Sequence, residues 1–164
     1  MLGTNLVVLA TRAAEELCPW MPVALGELGQ HERPGRRRNN PRILEYLRTV
    51  GLSGWDETPW CSAFTNWCMV RVGLTGSGRA TARSWLAWGT ALPLGQPRFG
   101  CVAVLRRGTS PTRGHVGFWV GARAGEVVLL GGSQNDSVCV KGYPLGNLLG
   151  LRWPLRPEGG VAWG

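Results

Sequence analysis

Cys61 lies in the run Thr58-Pro59-Trp60-Cys61-Ser62-Ala63-Phe64. A threonine followed by proline is a helix cap followed by a first-turn residue. The spacing therefore predicts a helix opened by Thr58-Pro59, with Cys61 as its third residue. There a thiol feels the positive end of the helix dipole and backbone N–H groups that have no partner inside the helix. Both favour the thiolate, which is the nucleophilic form of cysteine. The N–H of Cys61 itself is free to donate to an oxyanion. The other cysteines, Cys18, Cys68, Cys101 and Cys139, read as small apolar packing residues. Cys68 is seven positions on, about 10.5 Å along the same helix, and cannot bridge to Cys61. An odd count without a C-x-x-C pair gives neither a disulfide framework nor zinc-site spacing. No metal or other cofactor is expected.

A thiol nucleophile needs a base, and the chain has two histidines, His31 and His115. His115 opens the strand pattern Gly114-His115-Val116-Gly117-Phe118-Trp119-Val120. Alternation puts His115, Gly117 and Trp119 on one face and the apolar Val116, Phe118 and Val120 on the other. Cys61 and His115, on separate elements, are the minimum set for a thiol hydrolase. A third group must orient the imidazole. Chemistry alone offers Ser133, Gln134, Asn135 and Asp136, with the Asp136 carboxylate the default and turn formation the competing use of all four.

The elements that must position these groups change character near residue 100. Before it the pattern is helical. Asn5–Leu17 reads as a first helix stopped by Pro19, Pro22–Leu28 as a short second one, and Gln30–Asn40 as a loop. Asn40-Pro41 is a cap and first-turn proline for a helix ending near Gly51. The Cys61 helix runs to Gly73, and Ala80–Trp88 is a short helix. Afterwards five strands are expected: Gly100–Arg106, His115–Val120, Glu126–Leu130, Ser137–Lys141 and Leu149–Trp153, broken at glycines. Pro157–Gly164 reads as a loose tail. The order predicts an α+β fold, with N-terminal helices packed on a C-terminal antiparallel sheet of about five strands.

The 164 residues carry 44% hydrophobic and 17% charged side chains and nine tryptophans. That composition excludes a disordered chain, and the length suits one domain over 1–164, with a helix inside 1–19 and no second unit. No apolar run reaches 18 residues, which excludes a membrane-spanning helix. Eighteen basic against ten acidic residues give a net charge of +8, suited to polyanionic partners such as wall polymers, an anionic outer membrane or nucleic acid. No nucleic-acid motif is present, so none of that class is expected, and a monomer is. The N-terminus lacks the basic n-region of a secretory signal.

Three runs together, Pro59-Trp60-Cys61-Ser62-Ala63-Phe64, Gly114-His115-Val116-Gly117-Phe118 and Gly131-Gly132-Ser133-Gln134, resemble the CHAP/NlpC-type papain-like cysteine hydrolases, in particular small phage or prophage peptidoglycan hydrolases. The resemblance extends to Asn40–Tyr46, Ala82–Gly89 and Arg152-Trp153-Pro154, and covers roughly residues 20–155. It implies a papain-like fold and cleavage of a peptidoglycan amide through an acyl-enzyme. It makes Cys61 the nucleophile, His115 the base and then the acid, and Gln134 the orienting group. Alternation from Leu130 also sets Gly132 and Gln134 on one face, toward His115. Trp60, Glu32 and Trp119 are the candidate substrate-binding residues, Glu32 because its loop resembles the family's Glu-x-Pro-Gly stretch. Trp60 stands where NlpC enzymes carry Asp, which leans toward the CHAP branch. Ser133 stands where the family has Asn.

The expected role is a phage or prophage endolysin acting on bacterial peptidoglycan, made in the host cytoplasm and released by a holin or by envelope damage, or else virion-associated. A tail component or toxin of the same fold, and a non-catalytic basic wall-binding module, are the alternatives.

Overall fold

A computed structural model describes residues 16–35 and 38–155. Most of the helix expected at Asn5–Leu17, and the tail at Pro157–Gly164, fall outside the described residues. Trp20–Gly26 (α1), Pro41–Thr49 (α2) and Cys61–Arg71 (α3) are α-helices, and Ala82–Ala87 is a 3-10 segment where a short helix was expected. No helix among the described residues is long and apolar enough to cross a membrane.

Helix α2 forms where the cap signal placed it. The Asn40 side chain accepts from the Arg42 N–H at 2.9 Å, and Pro41 occupies the first turn. Such a cap contributes about 1 kcal/mol. Ile43, Tyr46 and Leu47 form its buried stripe, at helical spacing. Helix α3 is different, because every residue from Cys61 to Met69 is buried. It runs through the middle of the molecule, with α1 and α2 on one side and the sheet on the other. A helix covered all round needs no polar face.

The strands are Thr90–Leu92 (β1), Val102–Arg106 (β2), Gly114–Arg123 (β3), Glu126–Gln134 (β4), Ser137–Pro144 (β5) and Leu148–Trp153 (β6). They form one antiparallel sheet in the order β1-β6-β2-β3-β4-β5. The fold is α+β as expected, with six strands rather than five. The additional one, β1, is a three-residue edge strand pairing Thr90 with Trp153 and Leu92 with Leu151. It is too short to show a period of two, and Pro93 ends it. Strands β4 and β5 run past the expected breaks at Gly131-Gly132 and Gly142. These glycines serve close approach instead of turning the chain. A Cβ on Gly132 would lie 2.7 Å from Phe64 Cβ, and one on Gly142 would lie 2.6 Å from a Glu126 carboxylate oxygen.

The two sheet faces carry separate cores. Val102, Val104, Val116, Phe118 and Leu130 pack against the helices. Cys101, Ala103, Leu105, Trp119, Val127, Leu129 and Leu151 form a second cluster on the other face.

One loop attachment ties the helical half to the sheet, and a second ties two loops of the helical half together. Residues 29–32 lie along the outer edge of β5: Gly29 donates to the Val138 carbonyl, Val138 to Gln30, and Glu32 to Asp136, at 2.8–3.0 Å. This covers an otherwise open strand edge. The buried Asp56 carboxylate accepts from the N–H groups of Arg33 and Asn40 at 2.9 and 2.8 Å, and so holds the loop before α3 against the loop before α2.

Candidate active site

Helix α3 begins at Cys61, so Cys61 is its first residue and not its third. Thr58 and Pro59 precede the helix, and Trp60 flanks it with φ −121° and ψ 16°, outside helical geometry. The Trp60 ring explains this. It is fully buried, stacks on Tyr46 at 5.6 Å, and donates its indole N–H to Glu32 Oε1 at 2.7 Å. With the ring anchored there, the backbone turns into the helix only at the next residue. The first-turn N–H groups still surround the sulfur. Burial pushes the Cys61 thiol up, while the N–H groups of Val116, Ser62 and Cys61, with the Arg107 cation, act to lower it.

The approach of Val116 follows from the sheet. Odd-numbered β3 residues pair with β2, as in the bonds of Trp119 with Gly100 and Cys101, so the Val116 N–H faces β4. The β3–β4 ladder ends at Phe118↔Leu130. Beyond that pair β4 leaves β3, and the thiol lies at the resulting gap, next to the residue that follows His115.

His115 is buried, and its hydrogen bonds define its tautomer. The Gln134 amide group donates to the carbonyls of Cys139 at 2.6 Å and Leu129 at 3.3 Å. Both are pure acceptors, so the NH2 faces them and the amide oxygen faces His115. That oxygen is 2.9 Å from His115 Nε2. It can only accept, so Nε2 carries the proton and Nδ1 carries a lone pair. Nδ1 is buried and has no hydrogen-bond partner among the described residues. A buried imidazole nitrogen without a partner is what a base awaiting a proton requires.

Burial pulls the His115 pKa down to about 4, with Arg107 and Lys141 acting in the same direction and the Gln134 bond opposing them. The imidazole is therefore neutral at pH 7. The unfolded chain takes up a proton below its ordinary pKa of 6.5, and the folded protein does so only near 4. This part of the stability is complete above 6.5 and is lost as pH falls toward 4, by at most about 3 kcal/mol. Urea unfolding of wild type and His115→Gln between pH 7 and 4 should show a shallower decline in the variant. Parallel declines would mean that His115 titrates normally.

Gln134 reaches His115 by a route that simple alternation does not describe. Ser133 has φ 54°, and the β4–β5 register shifts between Gly131 and Gln134. This bulge turns Gln134 to the face opposite Leu130 and Gly132. A Cβ on Gly131 would lie 2.8 Å from Gln134 Oε1, so glycine there keeps the amide in place. Asn135 and Asp136, with φ 50° and 58°, form the two-residue turn into β5. Both are exposed, and Asn135 accepts from Lys141.

The three candidate substrate-binding residues are placed otherwise. Trp60 has no free ring surface, being 0% exposed. The Glu32 carboxylate is bonded to Trp60 and braces it from behind. Trp119 lies four residues along β3 from His115, about 13 Å, and is buried in the second cluster. The geometry thus joins His115 to Gln134 and sets the Cys61 thiol by Val116, the next residue along β3, with Trp60 and Glu32 bracing the start of its helix, and leaves Trp119 apart. It adds Tyr143, whose hydroxyl is 3.2 Å from His115 Nε2, and Arg107, whose charge acts on both Cys61 and His115. Neither stands in a motif.

The seat of Trp60 gives a direct test. A Cβ on Gly132 would lie 2.5 Å from the Trp60 ring and 2.7 Å from Phe64 Cβ. Neither neighbour is the end of a flexible chain. Gly132→Ala is expected to cost about 1–3 kcal/mol by overpacking, measured by urea unfolding. An unchanged midpoint would show that α3 moves freely on β4.

A thiol at a helix N-terminus and, beside the strand residue it approaches, a neutral imidazole oriented by an amide are the groups that cysteine-dependent hydrolases use. Residues 53–133, just under half of the chain, match the CHAP domain. The match supports the CHAP/papain-like peptidase superfamily, whose CHAP domains are typically cysteine- and histidine-dependent amidases or peptidases. It points to a peptidoglycan hydrolase of the cysteine-peptidase type. No curated protein matches the chain.

Proposed function

We propose that this protein cleaves an amide bond of bacterial peptidoglycan with Cys61 as nucleophile and His115 as base, in the role of a phage or prophage endolysin. The observation that carries the reading is the buried lone pair of His115 Nδ1, without a partner among the described residues while Gln134 holds the Nε2 proton. Nδ1 takes the proton of the Cys61 thiol. The thiolate adds to the amide carbonyl, and N–H groups at the start of α3 receive the oxyanion. The C–N bond breaks as Nδ1–H protonates the leaving amine, which departs and leaves a thioester. Water then loses a proton to Nδ1 and attacks the thioester. The carboxyl product leaves and the thiol is restored.

A resting thiol and a neutral imidazole are the starting state, since burial raises the one pKa and lowers the other. The net charge of +8 suits an anionic wall. The test is digestion of purified peptidoglycan, with newly freed amines identified by mass spectrometry. An alanine amine released from muramic acid defines an amidase, and a freed stem or cross-bridge amine an endopeptidase. No new amine, from a folded protein on several wall types, would overturn the proposal.

A further inference from the structure

His115 Nε2 carries one hydrogen and has two oxygens within reach. Gln134 Oε1 is at 2.9 Å and the Tyr143 hydroxyl at 3.2 Å. Both Gln134 amide hydrogens are engaged by the Leu129 and Cys139 carbonyls, which fixes the proton on Nε2. The Tyr143 oxygen therefore accepts from His115. The two rings also lie against each other, with centroids 5.0 Å apart and planes tilted by 31°. Lys141 Nζ lies 5.5 Å from the centre of the Tyr143 ring. The phenol is half-buried, and burial, with the Cys139 and Cys61 thiols, pushes its pKa up. It is therefore neutral at working pH.

We propose that Tyr143 is a second positioning residue for His115, sharing the Nε2 proton with Gln134 and holding the ring so that Nδ1 stays open to the thiol of Cys61. The inference rests on the Cys61–His115 reading above. When Nδ1 takes the thiol proton, the Nε2–H becomes a stronger donor, and two neutral oxygens then share the imidazolium charge. Two neutral acceptors do this without a buried carboxylate, which would need a partner of its own. The charged groups around the ring are Arg107 and Lys141, and the neighbouring thiols are Cys61 and Cys139.

Tyr143→Phe keeps the ring and removes only the oxygen. Three readouts apply to wild type and variant: solvent exchange of the His115 Nε2–H by NMR of 15N-histidine protein, alkylation of Cys61 by iodoacetamide mapped by mass spectrometry, and kcat on peptidoglycan. His115→Gln assigns the signal against that of His31. The expected result is faster Nε2–H exchange, with Cys61 alkylation at pH 7 and kcat each lowered about threefold to tenfold and KM unchanged, the range of one shared hydrogen bond. If exchange, alkylation and kcat all match wild type, Tyr143 only packs and the proposal fails. If neither protein hydrolyses wall but exchange and alkylation still change, the hydrolase reading fails and the Tyr143 assignment stands.

Discussion

Cys61→Ser is expected to lower hydrolysis of purified peptidoglycan by at least roughly a thousandfold while leaving the circular dichroism spectrum and urea midpoint close to wild type. The side chains are nearly isosteric, so the packing of Trp60, Phe64 and β4 around the helix start is kept. The chemistry is not. The His115 base, with its pKa pulled down to about 4 by burial, is weak. It can accept the proton of a thiol whose anion is held by the N–H groups of Val116 and Ser62. It cannot do so for an alcohol. Cys68→Ala is the matched control. Cys68 is equally buried in the same helix, so its loss costs stability, yet the folded fraction should keep full turnover. A folded Cys61→Ser protein with wild-type activity would remove the thiol from the mechanism.

The second large effect is expected at Gln134. Gln134→Ala removes the acceptor from His115 Nε2 and the donors from the Leu129 and Cys139 carbonyls. The ring then loses its main orienting bond, and either nitrogen can hold the proton. We expect kcat/KM to fall about tenfold to a hundredfold. The loss stays partial because the thiol, the helix N–H groups and Tyr143 remain. Asp136→Ala should change kcat/KM by less than about twofold, since the Asp136 side chain is exposed and only its carbonyl is engaged, by Glu32. It should lose about 1 kcal/mol of stability, because its φ of 58° disfavours alanine. The reverse order of effects on turnover would place the orienting group at Asp136.

What could be read from the residues, and what could not, divides along a physical line. Asn40-Pro41 and the alternation of β3 depend on local geometry, and local patterns record them. Helix α3 starts two residues later than Thr58-Pro59 predicts because Trp60 is held by Glu32, 28 positions away. Gln134 meets His115 from the face opposite to the one that alternation predicts, because a single left-handed Ser133 reverses the alternation. Tyr143 could not be found at all. Register puts it level with Ala122 through Val127, seven residues from His115, or roughly 20 Å along a flat sheet. Only the coiling of the sheet brings the two rings together. Trp60 and Trp119 show the complementary error, because an aromatic residue beside a site looks like a binding wall until its burial is known.

The strap of residues 29–32 along β5 has a consequence for synthesis. Glu32 steadies the residue before Cys61, and its own N–H is held by the Asp136 carbonyl. His115 is held by Gln134 and Tyr143. The Glu32 brace of the nucleophile and the two acceptors at its base thus wait on the last hairpin, and contacts so distant in the chain form late and together. A ribosome that has passed Cys61 and His115 but not Tyr143 carries both reactive groups without the frame that makes them a pair.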